Sequence, residues 1–241
     1  MNIKILLLQA RHDHDQARLD ERNSFAARMG LPVEAITTHS LIKAPPTMAQ
    51  IRRHDALMVG GSGDYYVSKG NLPAYQTTYA VLREVVAVGH PVFASCFGFH
   101  LLVEALGGRV GYHPDEMEVG TYELSLTEAA RHDELFGHLP ARFMAQLGHK
   151  DRADRLPEGV DNLARSALAP YQALRIPGEP IWATQFHPEM TGPENLERFH
   201  RYKDGYAGIM SAAELAETLA RFQDSPEADG LLARFLTVVF G

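Results

Sequence analysis

The feature that most constrains this chain is a set of four short apolar runs without polar alternation: Ile3–Leu8, Val33–Thr37, Ala56–Val59 and Pro91–Ser95. A strand with one wet face alternates apolar and polar residues. Uninterrupted runs of four to six residues suit strands buried on both faces, as in a parallel sheet. Helical patterns separate the runs. Asp15–Met29 is closed by Gly30, and Pro73–Gly89 also ends in glycine, the residue that most readily terminates a helix in the left-handed conformation. Strand and helix in alternation predict an open, mostly parallel sheet with helices on both faces.

The middle of the chain changes character. Met117–Thr127, Arg142–Gly148, Tyr171–Ile176 and Ile181–Phe186 read as strands mostly joined by short polar connections, which predicts mixed or antiparallel additions to the sheet. From Pro193 the pattern is helical to the end, over 193–204, 211–223 and 227–240. No linker, repeat or low-complexity tract interrupts the 241 residues. The expectation is a single α/β domain over 1–241, with a core of about 1–192 and a helical C-terminal extension over 193–241.

Charge and cysteine usage exclude several classes of function. A net charge of −7 and an isoelectric point near 5.9 leave no basic field to gather phosphates, so neither nucleic acid nor an anionic membrane is expected as a partner. One cysteine cannot form an internal disulfide. No apolar stretch approaches the roughly 20 residues that span a bilayer. The N-terminal run ends in "RHDHD" with no small-residue cleavage site, so it reads as a strand rather than a signal peptide, and the chain as cytoplasmic. His12 and His14 lie two apart among acids, but no carboxylate or thiol cluster of metal-ligand spacing accompanies them. No metal or other cofactor is expected.

The lone cysteine lies in "PVFASCFGFHLLVEALGG", where an apolar strand runs into a helical pattern near Phe97. A nucleophile at such a junction needs small residues two before and two after it, and Ala94 and Gly98 stand there. A helix N-terminus would also favour a thiolate and offer free N–H groups. On its own the stretch fits a small buried hydrophobe better. A catalytic cysteine needs a base with an orienting partner, and "QFHPE" supplies candidates. In extended chain His187 and Glu189 point to one side, where the carboxylate can set the imidazole tautomer. A surface His-Pro-Glu turn is the plain alternative. In "LMVGGSGDYYV" a strand ends in glycines that let backbone N–H groups approach an anion. Tyr66 occupies the position where a dinucleotide fingerprint would need its last glycine.

Together these stretches resemble the class I glutamine amidotransferases, in particular the glutaminase domain of GMP synthase and its free-standing relatives. The likeness runs well from about Asp55 to Met190 and more loosely through the first strands. It implies a flavodoxin-like fold and a Cys96–His187–Glu189 triad. Cys96 would form a γ-glutamyl thioester with release of ammonia, His187 would be the acid–base residue, and Glu189 would orient it. The backbone N–H groups of Gly61 and Phe97 would form the oxyanion hole. Gly63, His100, Gly148, His149, Lys150 and Asp151 would lie around the substrate. The implied partners are glutamine or another γ-glutamyl amide, and a separate synthetase or acceptor subunit, because the chain shows no synthetase domain.

The family elbow usually reads Gly-x-Cys-x-Gly-x-Gln. Here Ala94 replaces the first glycine, Phe99 stands where histidine is common, and His100 takes the glutamine position. Imidazole does not reproduce the paired donor and acceptor of a carboxamide. The resemblance therefore carries the reaction type further than the substrate. Two other readings stand beside glutamine hydrolysis: a stand-alone γ-glutamyl hydrolase or peptidase acting on another amide, and a catalytically silent regulatory subunit of the same fold.

Overall fold

The computed structural model describes residues 3–206 and 208–241. Strand β1 (Ile5–Ala10) feeds helix α1 (Ala17–Met29). That helix stops at Gly30, which takes φ 65° and bonds its N–H back to the carbonyls of Ala26 and Ala27. There follow β2 (Ile36–Ser40), the short α2 (Met48–Ile51), β3 (Ala56–Ser62), α3 (Tyr75–Ala87), β4 (Val92–Ser95) and α4 (Phe97–Ala105). The middle supplies β5 (Arg109–Tyr112), β6 (Glu118–Leu126), β7 (Arg142–His149), β8 (Asp151–Arg155), β9 (Asp161–Arg165), β10 (Ala173–Ile176) and β11 (Ile181–Thr184). Helices α5 (Gly192–Arg201), α6 (Ala212–Ala220), α7 (Pro226–Asp229) and α8 (Leu231–Phe240) complete the chain.

Nine strands form one sheet in the order β2-β1-β3-β4-β11-β10-β9-β6-β7. The first five are parallel, and the remaining pairings are antiparallel. Strands β5 and β8 pair separately. Both faces of the sheet are covered, which is why β1 carries no polar alternation. Ile5 and Leu7 point into a core shared with α1 and α8. Leu6 and Leu8 point into one shared with α3 and α4. Each such side chain contributes about 1.5–3 kcal/mol by leaving water.

The second strand departs from its expected place. Val33–Ala35 is a single 3-10 turn and the strand is Ile36–Ser40. As the edge strand it has one neighbour, and only Ile36 is fully buried. Its polar residues Thr37 to Ser40 keep their access to water, and the apolar run misplaces it. The short polar strand β9 and the small β5–β8 pair had no apolar pattern to reveal them.

The C-terminal helices are integral to this packing. Phe235 of α8 meets Phe93 and Trp182 edge-on, with ring centroids 5.7 and 5.9 Å away. Helix α5 buries Asn195 and Phe199, while α6 buries only Thr218. Arg11, Gly61, Cys96 and His187 all lie at or just past the carboxyl ends of parallel strands, the edge where open α/β sheets form their binding crevice.

Candidate active site

Cys96 connects β4 to α4 in a conformation that side chains resist, with φ 51° and ψ −100°. Its N–H donates to the Thr184 carbonyl at 2.7 Å, and its own carbonyl accepts from the His100 N–H at 3.1 Å. The small residue two positions on is obligatory: a Cβ at Gly98 would stand 2.4 Å from the Val59 carbonyl oxygen. The N–H of Phe97 opens α4, where a helix has no acceptor of its own to offer.

His187 and Cys96 line the same cleft. The His187 Nδ1 faces Glu189 Oε1 at 2.6 Å. This contact arises in a turn, with the Met190 N–H returning to the His187 carbonyl, rather than in the extended chain expected from sequence. Burial, the largest influence, opposes charge on the ring; Glu189 and Cys96 outweigh it and push the pKa up to about 9. Burial also opposes charge on Glu189, yet His187 and Arg198 hold its carboxyl below the usual range. Among the described residues Glu189 Oε2 has no hydrogen-bond partner, and Arg198 Nη1 is 3.9 Å from Oε1.

The glycine loop requires a correction. Gly61 is at the site, since a Cβ there would lie 3.0 Å from His187 Cε1. However, its N–H donates to Glu21 Oε1 at 3.0 Å, and is not free to hold an oxyanion. Glu21 is fully buried and also accepts from Arg11 and Gln9, at 3.1 and 2.9 Å. Gly63 lies against the ring of Tyr202, which a Cβ would overlap at 2.8 Å. Tyr202 in turn accepts from Arg11 and donates to Asp15.

The remaining expected residues lie around one cleft. Gly148, His149, Lys150, Asp151 and His100 all border the same cleft as Cys96, a space of about 260 Å³. Lys150 is committed elsewhere: its ammonium donates to the Gly205 carbonyl and sits 4.2 Å above the Tyr206 ring. Asp151 accepts from the N–H and hydroxyl of Ser68. His149 is held between the Asp151 carbonyl at 2.9 Å and Glu118 Oε2 at 3.2 Å.

Sequence reasoning missed Arg11, Glu21, Gln185, Arg198, Tyr202 and Tyr206. Two of them had a local signal: Gln185 is next to the His-Pro-Glu stretch, and Glu21 lies in the buried stripe of α1. Arg11 follows β1, and Arg198, Tyr202 and Tyr206 reach the site from α5 and the segment after it.

Residues 26–201 match the family model of the class-I glutamine amidotransferases. The chain belongs to that family. This amidotransferase chain is thus an enzyme. It is 34% identical over 113 residues to the glutamine-hydrolyzing GMP synthase subunit of Methanocaldococcus jannaschii, covering 45% of this chain and 58% of the relative. It is 29% identical over 150 residues to the corresponding subunit of Archaeoglobus fulgidus, covering 62% and 74%. With the GMP synthase of Thermosipho melanesiensis it shares 37% over 119 residues, 48% of this chain and 22% of that protein. The amidotransferase therefore spans less than two thirds of the length of the subunit from Methanocaldococcus and about a fifth of the synthase from Thermosipho.

Solved structures of glutamine amidotransferases from Thermotoga maritima and Methylobacillus flagellatus superpose with a TM-score of 0.72 each. They are 17% and 20% identical, and cover 99% and 97% of this chain and 98% and 94% of theirs. They support the mostly parallel α/β fold expected from sequence. No helix among the described residues is long and apolar enough to cross a membrane.

Proposed function

We propose that the enzyme hydrolyses the γ-carboxamide of glutamine through a thioester on Cys96. The observation that carries this reading is that Cys96 and His187 border one cleft, with His187 Nδ1 2.6 Å from Glu189 Oε1 and the nucleophile held in an elbow at a helix N-terminus. In the first half-reaction the Cys96 thiolate adds to the γ-carbonyl carbon. The Phe97 N–H stabilises the resulting oxyanion. Imidazolium of His187 gives its proton to the departing nitrogen, the C–N bond breaks, and ammonia leaves. In the second half-reaction neutral His187 takes a proton from water as its oxygen adds to the thioester. The C–S bond then breaks, glutamate departs, and the thiolate–imidazolium pair is restored.

Glu189 keeps the His187 ring in place and favours its charged form. Gly63, Gly148, His149 and Asp151 shape the space for the substrate's α-amino and α-carboxyl ends. Ammonia would pass to an acceptor or to a synthetase subunit; that two of its relatives are themselves named as subunits of GMP synthase supports a partner of that kind. A second reading, hydrolysis of another γ-glutamyl amide, is favoured by His100. Its Nε2 is 2.6 Å from Gln185, so it does not replace the family glutamine as a substrate ligand through that atom.

Labelling with a diazo-ketone analogue of glutamine, followed by peptide mass spectrometry, tests the assignment. The expected adduct is on Cys96, lost in Cys96→Ala and sharply reduced in His187→Ala. Ammonia release from glutamine, against amine release from a γ-glutamyl peptide, separates the two substrates. No adduct with either class of γ-glutamyl probe would remove the catalytic reading.

A further inference from the structure

We infer that Gln185 and His100 are positioning residues that hold an amide N–H against the Cys96 sulfur, so that the thiolate is stabilised by a donor other than its base. This rests on the reading of Cys96 as the nucleophile. The sheet register brings the parts together: β4 and β11 run parallel with Ser95 opposite Thr184. The next residue on each strand is Cys96 and Gln185. Gln185 Nε2 lies 3.9 Å from Cys96 Sγ, and its Oε1 lies 2.6 Å from His100 Nε2. Both side chains are buried, Gln185 completely. Their backbones are fixed as well. The Gln185 N–H donates to the Gln172 carbonyl at 2.8 Å, and the His100 N–H to the Cys96 carbonyl at 3.1 Å.

The orientation of the amide follows from chemistry. A thiolate only accepts, so a carbonyl oxygen aimed at it would be repelled, and the edge of Gln185 facing sulfur must be its NH₂. The carbonyl then faces His100 and needs a donor, which fixes His100 as the tautomer protonated on Nε2. Burial, with His149 nearby, holds His100 well down at about 4 despite Asp151, so the ring stays neutral through the working range. The relay therefore delivers a dipole rather than a second positive charge. Among the titratable groups that line the cleft with Cys96 are His187, Tyr66, Tyr206, His149, Lys150 and Asp151. Burial raises both phenols, Tyr66 to about 12, so neither carries charge near neutrality. In this chain histidine at the glutamine position of the elbow serves the nucleophile through a neighbour.

The test is the pH dependence of Cys96 alkylation by iodoacetamide in the full chain. As the only cysteine, Cys96 is the sole thiol in the assay. Gln185→Met keeps the volume and removes the donor. It should move the profile alkaline by about one unit, slowing alkylation about tenfold on the rising limb. Gln185→Glu should move it further. His100→Leu should reproduce the Gln185→Met shift, whereas His100→Gln, which can still donate to Oε1, should restore most of the wild-type profile. Near-ultraviolet circular dichroism of Trp182, on β11 itself, checks that each variant is folded. If Gln185→Met does not fold, the His100 pair carries the comparison. A reactive wild-type thiol with unshifted profiles in Gln185→Met or His100→Leu overturns the relay and leaves the nucleophile reading standing. A wild-type thiol no more reactive than a free cysteine overturns both.

Discussion

Replacing Glu189 with glutamine keeps an oxygen at hydrogen-bond distance from His187 Nδ1 and removes only the charge. In the native site that charge, with Cys96, lifts His187 from 6.5 to about 9. The lift corresponds to about 3 kcal/mol in favour of the imidazolium. Burial opposes the charge while Cys96, which the variant keeps, still favours it, so the ordinary 6.5 marks the low end expected for the variant. At about pH 8 a ring of pKa about 9 is roughly nine-tenths protonated, and one of 6.5 about 3%. The general acid is then depleted about 30-fold. At about pH 6 the two populations differ by less than about twofold. Glu189→Gln should therefore lose up to about 30-fold in kcat/KM at the higher pH and far less at the lower. Its alkaline limb should move from about 9 toward 6.5. The assay is steady-state ammonia release across that range. A uniform loss at every pH would mean that Glu189 acts by placement alone. The raised pKa also bears on stability: its contribution is whole below 6.5 and is lost as pH rises through about 9.

Three further perturbations probe the scaffold. Cys96→Gly should abolish turnover yet raise stability by about 1 kcal/mol, because glycine tolerates φ 51° without strain of order 1–3 kcal/mol; a lowered melting temperature would contradict this. Gly98→Ala drives a methyl to 2.4 Å from the Val59 carbonyl and should cost about 1–3 kcal/mol in urea unfolding, with activity falling as α4 shifts. A fully active, equally stable variant would refute the tight elbow. Phe235→Ala removes a fully buried ring that touches Phe93 and Trp182, and should cost about 3–5 kcal/mol in one cooperative transition. An unchanged main transition would make the C-terminal helices a separate unit.

What sequence reveals of this site is whatever the backbone demands within a few residues. The elbow was legible because a strained junction needs small neighbours at fixed offsets, and Ala94 and Gly98 answer that need beside Cys96. The pairing of His187 with Glu189 was legible from their two-residue spacing, although a turn makes the contact. The unbroken apolar runs revealed the parallel half of the sheet for the same reason, since burial on both faces leaves a local pattern. The edge strand β2 left none, because one exposed side frees its composition.

The Gly61 amide shows where such reading stops. Its acceptor, Glu21, is 40 residues away in sequence and arrives on α1. A signal was available all the same. Glu21 shares a helix face with Ala17, Ser24 and Phe25, at offsets of three and four, and all four are buried. A carboxylate on a core-facing stripe costs several kcal/mol unless charged and polar partners meet it. Arg11, Gln9 and the Gly61 N–H do so here. A glutamate in the apolar face of a helix that leads from the first strand's carboxyl end is thus itself a pointer to the crevice. It identifies the helix whose buried charge governs whether Gly61 can act as a donor.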